Sequence, residues 1–201
     1  MKPLFLIGVA VCLCASGCDS NNPLSDPQKS KADERLAGVW VYRSDDGDEY
    51  YHVGQAGEKF PACMMRVVMI KHSKGEVEPP GEFLAFPTVI GDKTYLNVVV
   101  GTDEKLVKSL DDKGRKAVDV DIYTLYRYRF DGDKLVMHGI DGDAKKKAIK
   151  DGKIKGTIED NSVKFTDTTE NLARFVKESD DSLWNTKEPM HLERVDAGKK
   201  P

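Results

Sequence analysis

Cysteine is scarce where it could brace a fold. The chain has four in 201 residues. Three of them, Cys12, Cys14 and Cys18, lie close to the N-terminus, and Cys63 stands alone in the remainder. A single thiol closes no internal disulfide, so the body of the chain must be held by packing. Long apolar runs are also missing. The longest, residues 4–15, is shorter than the ~20 residues that span a bilayer core, and a multi-span membrane protein is excluded. Nor is there an excess of one charge. Lys and Arg number 31 against 34 Asp and Glu, which gives no global attraction to nucleic acid. Catalytic signatures are absent as well. The sequence contains no Gly-x-Ser-x-Gly, no Ser-x-x-Lys, no His-Glu-x-x-His, no Walker loop and no Gly-x-Gly-x-x-Gly. No catalytic residue, cofactor or metal is expected, and the chain reads as a non-enzyme.

What is present begins with an address. Met1-Lys2 is followed by the apolar run 4–15 and then by small residues, the layout of a secretory signal. The run ends in Ala15-Ser16-Gly17-Cys18. This resembles the lipobox of bacterial lipoproteins, although Ala15 stands where Leu is usual. The resemblance implies cleavage between Gly17 and Cys18 and a diacylglyceryl thioether on Cys18. Two or three acyl chains hold a protein durably to a membrane, whereas one does not. On this reading residues 1–17 are signal peptide and 18–31 a lipidated Cys with a flexible tether. Polar composition and two prolines favour the tether. A single β-rich domain then occupies 32–196, and 197–201 is a disordered tail. The implied location is the bacterial cell envelope, on a membrane and facing the periplasm or exterior.

From residue 39 onward, short apolar runs alternate with turn residues. Strands are expected at 39–43, 50–53, 63–71, 83–90, 94–100, 122–130, 134–140, 153–158, 162–166 and 190–195. Runs at this spacing predict a mostly β fold, an antiparallel barrel or sandwich of about 8–10 strands. Two or three short helices accompany it, one near the C-terminus. Asp143 is expected to cap a helix over 144–150, and Asp167 with Glu170 resembles a capping box for the next. Leu172, Phe175 and Val176 form that helix's apolar stripe. A further helix is expected at 104–110.

Candidate sites are few. Asp-Gly-Asp occurs at 46–48, 131–133 and 141–143 and reads as tight turns rather than as calcium loops. The histidines at 52, 72, 138 and 191 lack metal-ligand spacing. Cys63 reads as an inert packed thiol. Lys145, Lys146, Lys147, Lys150, Lys153 and Lys155 form a basic stretch, a solvated face with anionic headgroups as the alternative contact. In 122–130 Thr124, Tyr126, Tyr128 and Phe130 share one face, and Leu125, Arg127 and Arg129 the other. A barrel can aim those tyrosines inward.

Gly38-Val39-Trp40 opens the strand series. Gly-x-Trp before antiparallel strands resembles the lipocalin-like β-barrels. The resemblance implies that Trp40 closes one barrel end and that Arg194, near the C-terminus, packs across it in a cation–π contact. It also implies a cup for a small apolar molecule, with Trp40, Tyr126, Tyr128 and Arg194 as barrel-end or ligand-lining candidates. The expected function is therefore a membrane-anchored lipoprotein that binds a lipid or other small apolar ligand. The alternative is an envelope interaction module with a protein partner and no ligand. An unrecognised enzyme comes third.

Overall fold

The computed structural model describes residues 20–73, 75–99, 123–159, 162–179 and 181–195. Signal residues 1–17, Cys18, the expected helix at 104–110 and the tail at 197–201 lie outside them.

The main sheet is a closed antiparallel barrel of eight strands. β1 (Gly38–Ser44), β2 (Gly47–Gln55), β3 (Met65–Ser73), β5 (Gly81–Ile90), β6 (Lys93–Val99), β7 (Tyr123–Asp131) and β8 (Lys134–Gly139) follow one another around the wall. β4 (Glu76–Val77) is a two-residue appendage on β3. The last strand, β11 (Met190–Arg194), fits between β8 and β1 and completes the circle. Barrel closure rather than a sandwich follows from that insertion, since it leaves neither β8 nor β1 as a bare edge.

The chain between β8 and β11 makes an excursion on the outside. It carries α1 (Gly142–Lys150), the hairpin β9 (Gly156–Glu159) and β10 (Ser162–Phe165), and α2 (Thr169–Glu178). This covering explains why the middle strands are apolar on both faces. Inward residues such as Ala85, Leu96, Val98 and Tyr126 fill the lumen. Their outward neighbours Leu84, Phe86, Tyr95 and Leu125 form a second core with Leu172 and Val176 of α2, Phe165 and Trp184. Strand β7 alternates as expected, with Tyr126 and Tyr128 in the lumen core and Arg129 exposed.

Several local expectations are corrected. Residues 20–31 are not a free tether. Ser20 pairs with Tyr123 at the start of β7 and with Phe165, and Leu24 is 2% exposed within the outer core. The Leu24 amide donates to Asn97 Oδ1 at 2.7 Å, and the Ser25 and Thr88 hydroxyls bond at 2.6 Å. Backbone pairing and one buried leucine fix a segment whose composition is that of a linker. α1 is capped by Asp141, which accepts from the Ala144 amide, rather than by Asp143. The third Asp-Gly-Asp is thus a helix cap and not a plain turn. α2 is capped by Thr168. Asp167 is diverted to the Lys155 and Thr168 amides and the Asn171 side chain. Lys145 is buried on the inner face of α1, unlike its exposed neighbours Lys146 and Lys147. Cys63 precedes β3 instead of heading it, and its thiol donates to the Pro27 carbonyl at 3.1 Å.

Candidate functional site

One barrel end is shut by a compact plug. The chain enters through a single 3₁₀ turn, Glu34–Leu36, capped by Asp33. Trp40, 1% exposed, points into the lumen and donates its indole N–H to the Leu36 carbonyl at 2.8 Å. Arg194 lies opposite Trp40 in the β1–β11 register, with its guanidinium carbon 4.3 Å from the ring centre. The same guanidinium donates to the Ala37 and Arg35 carbonyls. The contact expected between Trp40 and Arg194 is therefore present, and Arg194 also ties the entering chain to the last strand.

The glycine of Gly-x-Trp has a steric reason. Gly38 has φ +127, in the region that favours glycine, and a β-carbon there would stand 2.7 Å from Arg194 Nη1. Larger residues would have to displace the guanidinium from its carbonyl partners.

Sequence reading named Tyr128 as a barrel-end candidate with Phe130 on the same face, but missed the partners Asp33 and Arg35 that join them to the plug. Arg35 stacks over Phe130 at 4.5 Å, and Phe130 meets Tyr128 edge-on at 6.0 Å. The Tyr128 hydroxyl donates to Asp33 at 3.0 Å. The Arg35 hydrogen bonds hold the Asp33 carboxyl below its usual range; partial burial opposes them and the Tyr128 bond adds to them. Burial, with the Asp33 charge beside it, pushes the Tyr128 phenol well up.

Above the plug lies the lumen. Its free volume is about 50 Å³, bounded by side chains that include Leu36, Trp40, Met65, Ala85, Met137 and Met190. The wall is apolar apart from the Tyr51 hydroxyl, which donates to Glu49. Tyr126 and Tyr128 belong to the same core but do not border this free volume, and Arg194 stays outside it. Drug-sized ligands need pockets of roughly 300–1,000 Å³, so the lumen as it stands admits only a few atoms. Three of its bounding side chains are methionines, whose unbranched thioethers repack at low cost.

Beyond Tyr51 sits a buried charged pair. Glu49 and Lys71 are 1% and 4% exposed, and Lys71 Nζ stands 4.0 Å from Glu49 and 3.9 Å from Glu78. Counting by twos along β2 from Tyr51 puts Glu49 on the inward face, a signal legible once the strand is placed.

Burial raises the Cys63 thiol above its ordinary pKa, which suppresses thiolate chemistry. Among the described residues no group of three or more His, Cys, Asp or Glu could hold a metal ion. His72 packs against Tyr50 with the rings tilted and their centres 5.2 Å apart, and His138 faces the Asn185 carbonyl at 3.1 Å. Among the same residues no helix is long and apolar enough to cross a membrane. No family model, curated protein or solved structure matches the chain. The architecture is an eight-stranded antiparallel barrel consistent with a lipocalin-like fold, and it is compatible with ligand binding.

Proposed function

We propose that this chain is a non-enzymatic lipoprotein of the bacterial cell envelope, anchored through lipid on Cys18, whose barrel takes a small apolar ligand. The observation that carries the ligand half is an apolar lumen behind a plugged barrel end, with three methionines in its wall. Binding in this reading requires Met65, Met137 and Met190 to move aside, because 50 Å³ does not hold a lipid chain. The ligand is an acyl chain or similar flexible hydrocarbon, which can follow a lumen opened by shifting thioethers. The lipid half rests on Ala15-Ser16-Gly17-Cys18 after an apolar signal-like run.

The small free volume favours a second reading, in which the lumen is ordinary packing and the protein works through its surface on an envelope partner. One pair of measurements separates them. Fatty acids of graded length are titrated into the protein and into Ala85→Leu, which adds bulk where Ala85 borders the lumen. Saturable binding that the substitution abolishes supports the carrier. No binding to either protein supports the surface reading.

A further inference from the structure

We infer that the β9–β10 hairpin is the face on which the domain rests against the bilayer; this rests on the lipidation of Cys18 proposed above. The argument is one of direction and length. Ser20 is fully buried and fixed on two sides. Its amide donates to the Tyr123 carbonyl at 3.0 Å, and the Tyr123 amide returns a bond at 2.7 Å. The next amide, of Asn21, donates to the Phe165 carbonyl at 2.9 Å. The bridge to Phe165 is parallel. At Ser20 the chain, read toward its N-terminus, therefore points the way β10 runs from Phe165 toward Ser162.

Cys18 is two residues from Ser20, and an extended chain covers at most about 7 Å in two steps. A lipid on Cys18 cannot swing the domain on a long leash. It holds the flank beside β10 within that distance of the headgroups.

The chemistry of the hairpin suits such a surface. Ile158 is 38% exposed on β9, opposite half-buried Val163 on β10. Lys153 and Lys155 lead into the hairpin, and Lys164 lies within it on the face opposite Ile158 and Val163; such long side chains can reach phosphates beside an apolar edge. Glu159 carries the opposite charge, so the footing requires no anionic lipid, and a zwitterionic bilayer suffices. The more exposed Val89, at 68%, lies beside the β5–β6 turn. Tyr123 pairs with Val99 at the other end of β6, which puts Val89 at the end of the barrel away from the anchor.

The test uses tryptophan as a depth gauge. Ile158→Trp and Val89→Trp are each made in the full chain, extracted from membranes and reconstituted into phosphatidylcholine vesicles with or without brominated acyl chains. The parent's two tryptophans, both buried, set the background. Brominated lipid should remove most of the fluorescence added at 158 and leave that at 89 unchanged. Equal quenching at both positions, or quenching at 89 alone, overturns the orientation. The mass of the Cys18 peptide reads the anchor separately. Were it unmodified, the same two proteins are made from Cys18 onward, which contains every described residue, and coupled through that thiol to a maleimide lipid. Quenching at 158 there leaves the geometry standing and discards only the native anchor, while its absence discards the geometry.

Discussion

Arg194 serves two partners with one planar group: the Trp40 face and the carbonyls of the entering chain. Arg194→Gln keeps a donor but loses the stacked cation and the fork. It should cost about 1 kcal/mol, read as a fall of a few degrees in melting temperature. Asp33 makes a prediction about acid. Its folded pKa is depressed, chiefly by Arg35. The unfolded carboxyl, with a pKa of about 4, takes up its proton first as pH falls. The stability due to Asp33 is thus fully present above that value and is lost as pH drops through the lower, folded pKa. Asp33→Asn should be less stable than the parent at pH 6, and the gap between their melting temperatures should narrow as pH falls below about 4.

At the scale of elements, the N-terminal segment and α2 carry the sharper tests. Leu24 is the leucine by which residues 20–31 enter the outer core, and Pro23 and Pro27 of the same segment are buried as well. Leu24→Ala should cost about 2–5 kcal/mol, the range for a buried leucine, whereas a tether residue would cost nothing measurable. Urea titration decides between them. Thr168→Ala, at the N-cap of α2, should cost about 1 kcal/mol. Asp167→Ala should cost more, because it strips two amides and the Asn171 side chain of their acceptor. If Asp167 were instead the cap that its spacing from Glu170 suggests, Thr168→Ala would cost nothing measurable. These contrasts also show what the sequence makes legible. Alternation along β7 and the turn residues between strands are local signals, and they place most of the barrel. Gly38, Trp40 and Arg194 were legible through resemblance. The plug partners Asp33 and Arg35 were not, because closure brings together positions with no common period. The docking of Ser20 was hidden for another reason: backbone pairing leaves no side-chain signature, and polar residues around two prolines look the same bound or free.

For the whole molecule, the question is whether the lumen is a container or a core. The barrel buries Glu49 and Lys71 beside an otherwise apolar interior, an arrangement that packing alone does not favour, since desolvating two charges is expensive. The most direct measurement is native mass spectrometry of the protein extracted from its own membranes, followed by denaturation and identification of whatever is released. The expected mass is that of a chain beginning at Cys18 with diacylglyceryl and acyl groups attached, plus one non-covalent hydrocarbon-rich molecule that Ala85→Leu no longer retains. A chain carrying its signal residues, or a processed chain with no bound molecule in either protein, would contradict the anchored carrier.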